Sequence, residues 1–294
     1  MFPGIHAMAY AHFRDDETLD RAAMRRQTEV CLASGVDGMA ALGLATEVSK
    51  LRESERRDIM DWTAEDVARR VPVGFTIFGN SVAEQVAQIR HAEGVKADWV
   101  ILQPPSVGSY AGLEYIRFFG RVADQTTLPV AIQNAPAYMG RGLTPEEIRD
   151  LVTQHPNVKL LKGEGPVVDI KRVIEATEGR LPVLNGRGGL ELTDNYRAGC
   201  AGMILAPDTI DKQVAIWRAM HEGRPAEAEV LYEKALPTIL FIMQSIESLI
   251  CYGKRIFGAR IGLPIHDRAP ALRPTPLGLE LVAAHARRLG PFPV

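Results

Sequence analysis

A lysine closes the apolar run Val158-Lys159-Leu160-Leu161-Lys162-Gly163-Glu164-Gly165. If the run is a strand, side chains alternate, so Lys162 shares a face with Leu160 and Val158 while Lys159 points the other way. Apolar surroundings favour the neutral form of an amine, and a neutral amine can add to a ketone and form a Schiff base. The plain alternative is a strand-end lysine that reaches water. Further residues able to do chemistry follow other apolar runs: Gly43-Leu44-Ala45-Thr46-Glu47, Gln103-Pro104-Pro105-Ser106-Val107-Gly108-Ser109-Tyr110, Gln133-Asn134-Ala135-Pro136 and Asn185-Gly186-Arg187-Gly188-Gly189. Backbone N–H groups of the Leu44–Thr46 turn, with the Thr46 hydroxyl, can hold a carboxylate. Thr46 or Ser49 can equally cap the next helix. Glycines 186, 188 and 189 can let amides approach a phosphate or simply turn the chain; Asp208, near the last run, would repel phosphate and favours the turn.

These loops converge only if the runs before them are parallel strands. Eight β-rich runs are readable, at Ile5–Tyr10, Asp37–Leu42, Val71–Phe78, Trp99–Gln103, Leu128–Asn134, Val158–Lys162, Leu181–Asn185 and Gly202–Ala206. Helix-like segments rich in Ala, Glu, Arg and Leu follow them, among them Leu19–Ala33, Glu53–Arg69, Ala83–Glu93 and Pro145–Thr153. Eight such repeats predict an α/β fold, a (β/α)₈ TIM barrel whose strand carboxyl ends share one rim. Thr144-Pro145-Glu146-Glu147 and Ser81-Val82-Ala83-Glu84 are helix starts, and Gly35, Gly94 and Gly199 sit where helices should end. After Pro225 helices follow without strands, over Ala226–Leu236, Thr238–Tyr252 and Leu277–Arg288, joined by a proline-rich stretch at 268–276. The expected organisation is a barrel over 1–224 and a C-terminal helical appendage over 225–294.

The chain has 294 residues, 46% hydrophobic and 24% charged, with net charge −2. That suits a barrel of about 250 residues with an added segment, and gives no electrostatic reason to expect nucleic acid or anionic lipid. Cys31, Cys200 and Cys251 lie far apart in neither a zinc nor a disulfide pattern, which favours the cytoplasm. No secretory segment is visible at the start. The apolar stretch Leu236–Cys251 is shorter than the ~20 residues of a membrane span; it suits a core or a subunit interface. The seven histidines (6, 12, 91, 155, 221, 266 and 285) show no ligand spacing, so no metal is expected, and no cofactor. His12 alone lies near the rim and reads as a surface residue.

In the order of these loops the chain resembles the class I pyruvate-aldolase family, which includes dihydrodipicolinate synthase, N-acetylneuraminate lyase and 2-keto-3-deoxy sugar-acid aldolases and dehydratases. Gly43-Leu44-Ala45-Thr46-Glu47 with Leu51-Arg52-Glu53-Ser54-Glu55-Arg56 is similar to the family's Gly-Thr-Thr-Gly-Glu and its Leu-x-x-x-Glu-Arg helix start. Gln133-Asn134-Ala135-Pro136 is similar to its Tyr-Asn-x-Pro, and Lys162 falls at its Schiff-base lysine. The chain departs from the synthase at the residues that move protons. Gln133 replaces the tyrosine, Leu44-Ala45 the Thr-Thr pair, Pro105 or Ser106 the tyrosine lent by a neighbouring subunit, and Tyr138 the carboxylate-binding arginine, with Arg141 nearby. A glutamine at position 133 resembles the 2-keto-3-deoxy-pentonate (L-arabonate pathway) dehydratase branch.

The resemblance implies a lyase with Lys162 and Gln133 catalytic, and Ala45, Thr46, Gly186, Ser106 and Tyr138 binding substrate. The substrate expected is a small-molecule 2-keto acid, and the reaction the dehydration of a 2-keto-3-deoxy sugar acid. Aldol cleavage, condensation on pyruvate and a keto-acid-binding role without turnover are the alternatives. Proton transfer is left open among Ser106, Tyr110, Tyr138, Glu164 and an ordered water. Family members also imply a homo-oligomer, dimer or tetramer.

Overall fold

Eight apolar runs become eight strands of a closed barrel: β1 (Gly4–Met8), β2 (Gly38–Ala41), β3 (Val73–Ile77), β4 (Trp99–Leu102), β5 (Val130–Asn134), β6 (Val158–Gly163), β7 (Val183–Asn185) and β8 (Gly202–Leu205). The structure is a computed structural model and describes residues 2–293. Each strand pairs in parallel with its sequence neighbours, and β8 returns to β1 through pairs such as Ile5–Met203 and Ala7–Leu205. The runs read as continuously apolar because such strands are covered on both faces, by the barrel interior and by the helices outside.

Helices Arg21–Ala33, Val82–Gly94 and Pro145–Gln154 begin where capping residues stand: Asp20, Ser81 and Thr144 each accept a bond from a first-turn amide. Thr144 and Glu147 form a reciprocal capping box, which satisfies two otherwise orphaned donors. Gly35 and Gly199 take the left-handed conformation expected of them, at φ +81° and +96°. Gly94 does not; it remains in its helix, and Lys96 turns instead at φ +62°.

The C-terminal helices depart from expectation. Pro237 does not end a helix; Pro225–Ile242 runs through it, and the break comes at Met243–Ser245. There the Ser245 side chain accepts from the Ser248 amide and starts a helix that continues to Ile261, with a π-helical turn at Leu249–Gly253. A proline forfeits one helical bond; here the helix outlasts that loss, and a serine cap sets the next start. Among the described residues no single helix is long and apolar enough to cross a membrane. Pro225–Ile242 and Ile246–Ile261 reach that standard only as a pair, bent by 105°.

One irregularity bears directly on the site. Val130 pairs with Val158, but Ala131 pairs with Leu160, so Lys159 is an extra residue in β6. Paired residues of neighbouring strands face the same way, and consecutive residues face opposite ways. Val158 and Leu160 therefore lie on opposite faces, which corrects the strict alternation expected from the sequence. From Leu160 on the pairing is regular and sets Gln133 beside Lys162.

Candidate active site

Lys162 stands near the end of β6, buried to 2% exposure. Its Nζ lies 3.1 Å from Glu164 Oε1. The burial expected of Lys162 is present, but a carboxylate accompanies it. The amine is one half of a buried ion pair rather than an isolated base. Glu164 Oε2 accepts from Gln133 Nε2 at 2.7 Å, and Gln133 Oε1 accepts from Gln103 Nε2 at 2.8 Å. The ends of β4, β5 and β6 thus contribute one chain of buried polar side chains that terminates at Lys162. Gly186, after β7, makes room for it: a Cβ there would stand 2.9 Å from Glu164 Cγ.

Opposite, the loop after β2 forms a tight turn in which the Thr46 amide donates to the Gly43 carbonyl and the Glu47 amide to that of Leu44. The Thr46 hydroxyl donates to the Ala9 carbonyl at 2.5 Å, and the residue is wholly buried. Both Thr46 donors are engaged by the scaffold, so Thr46 holds the turn rather than a ligand. The Ala45 amide has no acceptor among the described residues, and Ala45 lines the chamber around Lys162. The turn is anchored from below through Glu47, which pairs with Lys50 at 2.6 Å and with Lys254. Lys254 is fully buried; burial pushes its pKa down and Glu47 opposes that shift. Its Nζ also lies 5.3 Å and 5.9 Å from the Phe13 and Tyr10 ring centres.

The chamber at Lys162 has a free volume of ≈ 30 Å³ and is walled by Leu44, Ala45, Tyr138, Glu164, Gly188 and Met243, among others. A vestibule of ≈ 790 Å³ shares Leu44, Tyr138 and Ile246 with it and includes Gln103, Ser106 and Arg141. Tyr138 is thus placed between the two spaces. Ser106 is exposed in the vestibule, its amide and hydroxyl both donating to Asn80 Oδ1 at 2.7 and 2.8 Å. Arg141 donates to the Met139 carbonyl at 3.0 Å and to that of Pro105, tying the loops after β4 and β5 together. Tyr110 lies outside both spaces, 54% exposed.

Two rim expectations change. Asp208 does not face a ligand; it is buried, accepting from the Tyr10 hydroxyl at 2.7 Å and that of Thr209 at 3.0 Å. Its burial pushes its pKa up to about 6 and so it gives no reason to exclude phosphate from the glycine loop. His12 is a buried residue, not a surface one, with Nε2 3.2 Å from Gln27 Oε1; burial, then the charge of Lys254, lowers its pKa to about 3. In the glycine loop Gln213 donates to the Gly188 carbonyl at 2.8 Å and Met243 occupies the space a Gly188 side chain would need. Arg187 lines the chamber and pairs with Glu191 at 2.6 Å. Among the described residues no cluster of three or more His, Cys, Asp or Glu could hold a metal ion.

The sequence marks Gln103 as the start of a rim loop but gives it no partner, and it does not reveal the wall supplied by Met243, Ile246 and Leu249. Their signal was an apolar helix with a serine start, but nothing local shows which face of it meets the barrel.

A model of the dihydrodipicolinate synthetase family matches residues 1–271. The chain is similar to an Escherichia coli K12 protein named as the probable 2-dehydro-3-deoxy-D-pentonate aldolase YjhH, with 29% identity over 271 residues, covering 90% of this chain and 89% of the relative. It is similar also to the 4-hydroxy-tetrahydrodipicolinate synthase of Persephonella marina, 26% identical over 237 residues and 80% of each chain. Among solved structures it resembles YagE, an E. coli K12 prophage protein of the dihydrodipicolinic acid synthase family solved in complex with pyruvate. That likeness has a TM-score of 0.91 at 25% identity and covers 98% of this chain and 99% of YagE.

Proposed function

The chain belongs to the dihydrodipicolinate synthetase family, and from that premise we propose that it is a lyase that binds a short hydroxylated 2-keto acid as an imine on Lys162. The observation that carries this reading is the buried pair of Lys162 and Glu164, 3.1 Å apart and held from behind by Gln133. Glu164 can take the ammonium proton, and the freed amine adds to the C2 carbonyl. Glu164 returns that proton to the hydroxyl of the adduct, which leaves as water, so that a protonated imine remains as an electron sink for the bonds at C3 and Glu164 is again a carboxylate. The free Ala45 amide is placed to bind the substrate carboxylate.

Glu164 then takes a C3 proton and the electrons move to nitrogen, giving an enamine. When the enamine returns its electrons, the C4 hydroxyl leaves as water with a proton from Glu164. Hydrolysis of the conjugated imine frees Lys162. This dehydration of a 2-keto-3-deoxy sugar acid is the reaction we favour, because Glu164 supplies an acid where Gln133 cannot. Cleavage of the C3–C4 bond, with the C4 hydroxyl proton passing to Glu164, releases an aldehyde and the pyruvate enamine; the similarity to YjhH and the pyruvate bound to YagE favour it as the second reading. On this reading Tyr138 and Ser106 bind the distal hydroxyls of either substrate, which is supported by Tyr138 lining both spaces and Ser106 the outer one.

On the same footing, residues 225–294 act as a helical appendage packed on a barrel of residues 1–224. The protein assembles as a homo-oligomer, dimer or tetramer, a reading supported by the exposed Val107, Tyr110 and Leu113. Three buried free thiols suit the cytoplasm.

Borohydride reduction in the presence of pyruvate and a panel of 2-keto-3-deoxy acids tests the proposal by intact and peptide mass. A reduced adduct on Lys162, absent from Lys162→Ala, is expected, and product analysis of the best-trapped acid separates dehydration from cleavage. Folded protein that gives no adduct with any acid overturns the proposal.

A further inference from the structure

An ionised carboxylate accepts hydrogen bonds and cannot donate them. The Gln133 atom 2.7 Å from Glu164 Oε2 is therefore the amide nitrogen whenever Glu164 is charged. That orientation turns the Gln133 oxygen to Gln103, so the Gln103 atom 2.8 Å away must be a nitrogen too. Two amides and a carboxylate form one chain of single polarity. Gln103 and Gln133 are 1% and 2% exposed, so a reversed link would set like groups against each other without water to separate them. The Gln103 backbone is held in place, its amide donating to the Ile77 carbonyl at 3.2 Å and its carbonyl accepting from Gln85 Nε2 at 2.8 Å, so the side chain is presented to Gln133 from a fixed point.

The two Glu164 oxygens are thereby given different duties. Oε2 is committed as an acceptor to Gln133, while Oε1, which faces Lys162 Nζ, stays free to gain and lose a proton without disturbing the chain. We infer that Gln103 is a positioning residue: by donating to Gln133 Oε1 it holds Gln133 in the polarity that the Glu164 carboxylate selects, and so reserves Glu164 Oε1 as the oxygen that carries the proton. The inference rests on the imine reading of Lys162. It goes beyond that reading in giving a task to a residue that touches neither the amine nor the carboxylate.

The substitution Gln103→Glu inverts the first link. The introduced carboxylate, once ionised, takes the Gln133 amide nitrogen, and the Gln133 oxygen then faces Glu164 Oε2, a contact that is satisfied only by a proton held there. The proton sits on the wrong oxygen, and Glu164 no longer serves as base toward C3. Replacement by methionine only leaves Gln133 free to turn.

Pyruvate distinguishes the steps. Imine formation is read by borohydride trapping on Lys162, and proton removal from C3 by loss of the methyl signal of pyruvate in D2O followed by proton NMR. The wild type is expected to do both. Assayed at raised pH, where solvent can take the ammonium proton, Gln103→Glu should trap pyruvate within about threefold of the wild type yet exchange roughly 100-fold more slowly, in the range that one general base supplies. Gln103→Met should trap equally and lose about tenfold in exchange, between the two. A purely structural role for Gln103 would lower trapping and exchange together, and that result, or wild-type exchange in Gln103→Glu, overturns the inference alone. Absence of a wild-type adduct on Lys162 instead overturns the imine reading. If Gln103→Glu fails to fold by circular dichroism, the ratio of exchange to trapping in Gln103→Met decides: a ratio about tenfold below wild type supports the assignment, and an unchanged ratio overturns it.

Discussion

Gln133 and Lys162 stand directly opposite each other on adjacent parallel strands because one residue between Val158 and Leu160 is surplus to the pairing. That residue, Lys159, is exposed. The bulge puts two lysines three residues apart into opposite circumstances, one in water and one in the barrel beside a carboxylate. A bulge commonly re-aims a side chain near an active site. Lys159→Ala should therefore change neither trapping on Lys162 nor unfolding by more than about 0.5 kcal/mol, and peptide mapping of the wild type should place the adduct on Lys162 and not on Lys159. An adduct shared between them would mean that burial does not select the amine.

Glu164 carries the proton in the proposed reaction, so Glu164→Gln should lower kcat by about 10²–10⁴-fold with little change in KM. The substitution keeps the size of the side chain and one acceptor for Gln133. Trapping of added keto acid should survive at raised pH, where the amine can lose its proton to solvent. Steady-state kinetics together with trapping check this, and turnover within a few-fold of wild type would remove Glu164 from the proton path.

Much of this site was legible because a parallel barrel brings its strand ends to one rim, so apolar runs followed by Lys162, Gln133 or Ala45 announce where those residues go. What was not legible depends on contacts between distant segments. The bulge at Lys159 is a property of the β5–β6 pairing and leaves no mark in β6 alone. Thr46 reads as a ligand-binding hydroxyl until the Ala9 carbonyl, 37 positions earlier, is seen to accept its hydrogen bond. Asp208 reads as a rim charge until Tyr10 covers it. Nothing in the sequence around Lys254 marks it as buried, because the partner that makes its burial tolerable is Glu47, 207 positions away.

That distant pair has its own consequence. Removing one member of a buried ion pair strands the other, which typically costs about 3–5 kcal/mol. Lys254→Met should lose stability on that scale, and adding Glu47→Gln should recover part of it because the stranded charge is then gone. Thermal or denaturant unfolding of the two variants measures the difference. The Leu44–Glu47 turn carries the Ala45 amide, so KM for the keto acid should rise in Lys254→Met more than kcat falls. A variant as stable as the wild type would show that Lys50 alone compensates Glu47.

Asp208 predicts a pH dependence of definite sign. Burial raises its pKa from 3.8 to about 6, against the opposing hydrogen bonds from Tyr10 and Thr209. The folded protein therefore binds this proton more tightly than the unfolded chain. The stability associated with it is fully present below about pH 4 and is lost as pH rises through 6, by up to about 3 kcal/mol. His12 acts in the opposite direction: its pKa is lowered from 6.5 to about 3, so its share of stability is present above pH 6.5 and lost as pH falls toward 3. The two overlap in the wild type, and a single curve does not separate them. The difference between Asp208→Asn and wild type does, because His12 cancels. Relative to wild type, Asp208→Asn should gain stability as pH rises from 4 to 6 and then level off, whatever constant penalty arises from an amide serving two hydroxyl donors with one oxygen. Unfolding midpoints measured across pH 4–8 test this, and a difference that does not vary with pH would show that Asp208 is ionised at an ordinary carboxylate pKa despite its burial.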